Sequence, residues 1–172
     1  LLWPLVDLFT IPMSDFTAGS DAKPLLQVGP HQVGMSICYE DAFGNEMIQA
    51  LPEAAYLLNA SNDAWFGRSL APHQHLQIAR MRGLESGRYL LRATNTGISA
   101  IIGPKGEVVK RSPLLELDVL SGEIRPMTGS TPYARFGNLP LLALLLLSLA
   151  LAFPCGHNRF RRSSLDGQGQ GL

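Results

Sequence analysis

The segment with the clearest chemical potential is ICYE at 37–40, where a single cysteine ends an apolar run and precedes an aromatic residue and an acid. Alternating apolar residues over 33–37 predict a short strand that delivers Cys38 at its carboxyl end. A helix is expected to follow over 41–51. A thiol at such a turn is open to ligands and lies near the positive end of the helix dipole, which favours the thiolate. The pattern indicates a nucleophile, with inert core packing of a lone cysteine as the alternative.

A second candidate segment is SNDAWFG at 61–67, which follows an apolar strand predicted over 54–60. In α/β folds, the loops at the carboxyl ends of strands carry the ligand site. The two aromatic residues would line an apolar pocket there, or plug the space under the loop. The candidate substrate-binding residues are Asn62, Asp63, Trp65 and Phe66.

The elements that must position these loops predict an α/β layered domain. Pro72 suits the first turn of a helix that continues to about residue 88, and small residues along one face permit close packing. Glu85 is expected to pair with Arg82 or Arg88 at helical spacing. Strands are predicted over 89–93 and 97–102, and a turn at 103–106 leads to a hairpin partner.

No metal or other cofactor is expected. The two histidines His73 and His75 point to different faces of the predicted helix, and no acid or cysteine is spaced to join them as a ligand. Two cysteines, Cys38 and Cys155, are too few for a disulfide framework, and Cys155 is interpreted as an incidental apolar residue at a membrane edge.

The composition limits the classes of protein to which the chain can belong. The 172 residues suit one domain, and 46% of them are hydrophobic. Fourteen basic residues balance fourteen acidic ones, so nucleic-acid binding has no electrostatic support. The sequence begins LLWP, without methionine or a basic signal-peptide start. We therefore expect the carboxyl-terminal piece of a longer protein.

An uncharged stretch at 136–156 predicts a transmembrane helix. Its 21 residues extend about 31 Å as a helix, enough for a hydrocarbon core of about 30 Å. Ser148 is the only polar side chain over 139–153, whereas a buried helix of a soluble domain keeps a polar stripe. The arginine-rich residues that follow place the tail in the cytoplasm and residues 1–135 outside. The tail at 157–172 is expected to be basic and disordered.

Taken together, these segments resemble the nitrilase, or carbon–nitrogen hydrolase, superfamily, and within it the bacterial apolipoprotein N-acyltransferase family. The order and spacing hold over about residues 1–162, and SNDAWFG beside a nitrilase-type cysteine and a terminal membrane helix is the most specific combination. The matching segments are ICYE at 37–40, SNDAWFG at 61–67, PHQH at 72–75, ARMR at 79–82, Glu85, RATNTG at 92–97, IGPKG at 102–106 and TPYAR at 131–135.

The resemblance implies an αββα sandwich in the periplasm, anchored in the inner membrane, with a Glu-Lys-Cys triad. Only the cysteine of the triad maps here, onto Cys38; the glutamate and lysine positions lie upstream of Leu1, so this piece alone is expected to be inactive. Tyr39 would offer its backbone N–H to the oxyanion, and Glu40 would be a supporting acid.

The implied reaction moves a fatty acyl group from a phospholipid to the terminal amine of diacylglyceryl-cysteine in an apolipoprotein, through a cysteine thioester. Phospholipid, apolipoprotein and bilayer are the expected partners. Two alternatives stay open: a membrane-anchored nitrilase-type amidase, and a catalytically dead, membrane-tethered binding module. The implied domains are a partial nitrilase-like domain at 1–135, a span at 136–156 and a tail at 157–172.

Overall fold

The computed structural model describes residues 23–166, with side chains described as far as residue 152. Six strands and four α-helices make up this part of the chain, together with 3-10 turns at Cys38–Ala42, Ile48–Ala50 and Ala64–Phe66. The strands are β1 Leu25–Val28, β2 His31–Ile37, β3 Tyr56–Ser61, β4 Leu90–Thr94, β5 Ala100–Ile102 and β6 Val108–Arg111. The helices are α1 Gly44–Met47, α2 Ala71–Ser86, α3 Pro132–Phe136 and α4 Leu139–Asp166.

The strands form one mixed sheet in the order β1 to β6. Strands β2, β3 and β4 are parallel, whereas β1, β5 and β6 pair antiparallel with their neighbours. Because the carboxyl ends of parallel strands meet at one edge, Cys38 after β2 lies beside the end of β3 at Ser61. The strands and hairpin predicted from the sequence are confirmed. The described residues contain one sheet layer of the implied αββα sandwich.

Helix α2 covers one face of the sheet with the small-residue face that the sequence predicted. Leu76, Ala79, Gly83 and Ser86 are all buried. A Cβ on Gly83 would lie 3.1 Å from the carbonyl oxygen of Gly103, so glycine permits this close approach to the end of β5. The core beneath is formed by apolar side chains that include Leu57, Leu90 and Ile102.

The helix predicted over 41–51 is broken, and that prediction was wrong. A 3-10 turn, the four-residue α1 and a second 3-10 turn replace it, with a break at Phe43 (φ −99°, ψ 89°). Gly44, directly after the break, packs closely against the rest of the fold, since a Cβ there would lie 2.2 Å from Arg82 Nη1 and 2.5 Å from Tyr133 Oη. With so few residues in line after Cys38, the helix dipole contributes little to the thiol, because the effect depends on aligned peptide units.

Within the described residues, the opposite face of the sheet is only partly covered. Residues 118–122 lie against it at β4–β5, and Met127 N donates to the carbonyl oxygen of Ala55 at 2.9 Å. A cavity of about 470 Å³ lies between this segment and β4–β5. At the end of β2, Ile37 is 61% exposed. Among the described residues, this face therefore leaves apolar surface exposed.

Two arginines lie near the carboxyl end of α2. Arg82 Nη2 pairs with Glu85 Oε1 at 3.1 Å, one of the two pairings predicted; burial raises the pKa of the Glu85 carboxyl, opposed by the Arg82 charge. Arg88 makes no such pair. Its buried guanidinium donates at 2.7 Å to the carbonyl oxygens of Ala54 and Gly129, and burial lowers the pKa of Arg88.

Helix α4 contains the uncharged stretch, and its leucines are exposed along the described part. None of the helices in the described part of the chain combines the length and apolar character that a membrane crossing requires. The span predicted at 136–156 runs past the last described side chain and stays a prediction. The described backbone is helical to Asp166, and the tail predicted at 157–172 stays a prediction. The side chain of Cys155 and residues 167–172 lie outside the described part.

Candidate active site

Cys38 occupies a left-handed backbone conformation (φ 52°) directly after β2, and its side chain is half-buried. This conformation costs a non-glycine residue roughly 1–2 kcal/mol, so it persists only where surrounding contacts hold it. Two side chains supply those contacts. Asn59 Nδ2 donates to the carbonyl oxygen of Cys38 at 3.0 Å, and Glu40 Oε2 accepts from the backbone N–H of Ile37 at 2.6 Å.

Ser61 is the nearest polar partner of the thiol. It ends β3, next to β2 in the sheet, and its Oγ lies 3.6 Å from Cys38 Sγ. The same hydroxyl lies 2.7 Å from Asp63 Oδ1. Ser61 thus connects the candidate nucleophile to a carboxylate in the protein interior.

Behind the cysteine turn is a buried ionic quartet, formed by Asp41, Asp63, His75 and Arg92, none more than 3% exposed. His75 bridges the two carboxylates, with Nε2 at 2.9 Å from Asp41 Oδ1 and Nδ1 at 3.1 Å from Asp63 Oδ1. Arg92 bridges the same pair, with Nη1 at 3.1 Å from Asp41 Oδ2 and Nη2 at 2.9 Å from Asp63 Oδ2. The four side chains form a closed ring.

The ring sets two carboxylates against one guanidinium and one imidazole. With both carboxylates ionised and both His75 nitrogens acting as donors, its formal charges cancel. Buried charges are tolerated when they are paired and hydrogen-bonded in this way. Arg92 Nη1 also donates to Asn59 Oδ1 at 2.7 Å, which connects the quartet to the side chain holding Cys38.

The structure places some of the predicted site residues next to Cys38 and others on an exposed loop. Tyr39 and Glu40 follow Cys38 in the 3-10 turn, and the Tyr39 ring is tilted against His75 with centroids 5.5 Å apart. Trp65 is 82% exposed and Phe66 36% exposed, so both stand on the loop surface within the described structure. Asp63 is buried in the quartet and turns away from solvent.

Asn62 is exposed and has a local structural contact: its Oδ1 accepts from the backbone N–H of Ala64 at 3.1 Å. Within the part of the chain that the structure describes, no group of three histidine, cysteine or acidic side chains is arranged to hold a metal ion. The Asp41 and Asp63 carboxylates beside His75 are instead occupied by Arg92.

Sequence reasoning missed three members of the quartet. Asp41 was counted as a helix start, His75 was considered only as a metal ligand, and Arg92 was part of a strand. The available signal was the pair Asn59 and Arg92, each a polar residue in an otherwise apolar strand. The two are register partners, so they share a buried face.

Together, this fold and this site define a class of protein. The chain belongs to the carbon–nitrogen hydrolase family, whose family model matches residues 6–133. The resemblance predicted from the sequence is confirmed. A solved structure of a member of branch 10 of the nitrilase superfamily from Saccharomyces cerevisiae superposes with a TM-score of 0.51 at 17% identity. It covers 60% of this chain and 41% of that one, and shows the shared fold.

Within the family, the chain is similar to apolipoprotein N-acyltransferases. It is 48% identical over 166 residues to the apolipoprotein N-acyltransferase of Methylococcus capsulatus, covering 96% of this chain and 32% of that relative. The corresponding protein of Haemophilus influenzae is 47% identical over 152 residues, covering 88% of this chain and 29% of that relative. The chain therefore spans about a third of the length of the curated relatives it matches.

Proposed function

We propose that the complete protein transfers a fatty acyl group from a phospholipid to the terminal amine of diacylglyceryl-cysteine in an apolipoprotein, through a thioester on Cys38. The observation that carries the proposal is Cys38 in its left-handed turn at the end of β2. The chain that holds it is 48% identical to an apolipoprotein N-acyltransferase. The thiol is partly open to a ligand, as an attacking group must be.

In the first step, the thiolate attacks the ester carbonyl, and the collapse of the tetrahedral intermediate expels a lysophospholipid that takes up the proton removed from the thiol. In the second step, the amine attacks the thioester, loses a proton and releases the thiolate. An ordinary thiol is only a few per cent ionised at neutral pH, so a general base is required.

The base comes from another part of the complete protein. Near the thiol, Asp41 and Asp63 are bound by two cations, and Glu40 is bound to the N–H of Ile37. This assignment agrees with relatives three times as long as the chain. The family's lysine is assigned to the same outside part, and the backbone N–H of Tyr39 is assigned to the developing oxyanion.

Trp65 and Phe66 are assigned to the lipid. Both are exposed on the loop that begins beside Ser61, a few residues from the thiol's hydroxyl partner. An indole ring combines a large apolar area with one polar edge and suits the boundary between acyl chains and headgroups. Contact with the acyl chain would also keep water from the thioester. Asn62, in the same loop, is assigned to the polar part of the substrate.

Trapping the intermediate tests the proposal. The complete protein, purified in detergent and incubated with isotope-labelled phospholipid without acceptor, should carry a labelled acyl group on the peptide containing Cys38, lost on hydroxylamine treatment. Mass spectrometry of the digested protein locates the label. A label on another residue contradicts the assignment of Cys38. Absence of lipid-derived label combined with ammonia release from small amides would favour an amidase instead.

We further propose that residues 136–156 cross the membrane, with the tail in the cytoplasm. The support is the exposed, uncharged leucine surface of α4 over 139–152 and the basic residues that follow it in the sequence. A reporter active only in the periplasm should give no signal when fused after Leu172 and a strong signal when inserted near Gly129. The reverse pattern would place Cys38 on the cytoplasmic side and contradict the proposed topology.

A further inference from the structure

We propose that Ser61 and Asn59 are positioning residues for Cys38, and that the quartet of Asp41, Asp63, His75 and Arg92 is the neutral frame that orients both. These residues would act in addition to the groups already assigned to the proposed acyl transfer. The proposal rests on that function only for its kinetic measurement. Its basis is that two separate hydrogen-bonded paths lead from the buried ring to the cysteine, one to its backbone and one to its thiol.

The backbone path runs through Asn59. Its amide oxygen accepts from Arg92 Nη1 at 2.7 Å, and its amide nitrogen donates to the carbonyl oxygen of Cys38 at 3.0 Å. Because Arg92 offers only donors, it fixes which end of the amide faces which partner. The amide nitrogen must then point at the cysteine carbonyl. This bond holds a residue whose left-handed backbone would otherwise relax.

The thiol path runs through Ser61, whose hydroxyl has a single proton and two neighbours. The carboxylate of Asp63 at 2.7 Å attracts that proton in the resting state, which turns a lone pair of Ser61 Oγ toward Cys38 Sγ at 3.6 Å. When the thiol ionises, the hydroxyl can rotate and donate to the thiolate. Asp63 Oδ1 then keeps its bond from His75 Nδ1 at 3.1 Å, so the rotation leaves no charge unpartnered.

Its neighbours keep the Asp63 carboxylate in place when the Ser61 hydroxyl rotates. Its second oxygen accepts from Arg92 Nη2 at 2.9 Å, and the backbone of Gly97 closes the remaining side, since a Cβ there would lie 2.2 Å from Asp63 Oδ2. The carboxylate therefore stays in place when the Ser61 proton moves. A fixed acceptor with a rotating hydroxyl suits a nucleophile that alternates between thiol, thiolate and thioester.

The test uses the complete protein in detergent and two readouts. One is acyl transfer, separated into kcat and KM; the other is the rate of Cys38 alkylation by iodoacetamide across pH, which needs no lipid. Ser61→Ala should lower kcat roughly tenfold or more with KM changed less than twofold, because a hydrogen bond to a charged group is lost. The alkylation midpoint should move to higher pH, because the thiolate loses its donor.

Ser61→Thr keeps a hydroxyl and should restore most of both readouts, whereas Ser121→Ala, a substitution at an exposed serine that belongs to neither hydrogen-bonded path, should change neither. Asn59→Asp keeps the side-chain shape and removes the donor to the Cys38 carbonyl, so it should also lower kcat. An alkylation profile of Ser61→Ala that matches the wild type, with kcat unchanged, would overturn the positioning role. A shifted profile in a protein that never forms a lipid thioester would support positioning and refute acyl transfer.

Discussion

Replacing Cys38 by alanine should abolish the proposed acyl transfer by the complete protein, with an expected loss of at least about a thousandfold. The alanine removes the sulfur atom to which the acyl group is proposed to bond. Cys38→Ser should lower acyl transfer nearly as much, because a serine hydroxyl at neutral pH is far less ionised than a thiol and its smaller oxygen would not occupy the place of the sulfur. The measurement is transfer of labelled acyl groups to a diacylated peptide.

The matched control is Cys155→Ser, which changes the only other cysteine of the sequence. It should retain wild-type activity. Stability should not explain the Cys38 result, since alanine and serine accept the backbone of residue 38 about as readily as cysteine does; thermal unfolding of each variant checks this. A Cys38→Ala protein with more than a tenth of wild-type activity would show that acyl transfer proceeds without a bond to this residue.

The parts of the fold that follow from periodicity could be predicted from the sequence. The strand before Cys38, the small-residue face of α2 and the hairpin after β5 all depend on local alternation or helical spacing, which the sequence displays directly. The helix over 41–51 was predicted wrongly, because local spacing does not show contacts such as those that Arg82 and Tyr133, from distant parts of the chain, make around Gly44.

The site divides in the same way. The candidate nucleophile could be proposed from the sequence because a cysteine at a strand end needs only local context. The quartet was not, because each of its four members has an ordinary local explanation: a helix start for Asp41, a loop for Asp63, a helix for His75 and a strand for Arg92. Their joint role appears only when β2, β3, β4 and α2 bring the carboxylates to within 3.1 Å of both cations.

Breaking the quartet should cost more stability than any surface substitution. Arg92→Met keeps much of the apolar volume but removes the guanidinium that pairs with both carboxylates, which leaves Asp41 and Asp63 with His75 as their shared partner. Removing one partner of a buried ion pair typically lowers the free energy of unfolding by about 3–5 kcal/mol, because the remaining charge stays buried without compensation. Urea unfolding of the complete protein, followed by tryptophan fluorescence, measures the loss. Arg68→Met, at an exposed position, is the control and should be nearly neutral.

The neutrality of the ring is tested by a second substitution. Asp63→Asn alone leaves the ring with an excess positive charge and should also destabilise the protein. In the double variant Arg92→Met/Asp63→Asn, the formal charge of the ring returns to zero, with Asp41 and His75 as the remaining pair. The double variant should therefore lose less stability than the sum of the two single losses, by more than about 1 kcal/mol, as expected for residues in one network. Simple additivity would mean that the four side chains act as separate pairs, and that charge balance is not what keeps this cluster stable beneath Cys38.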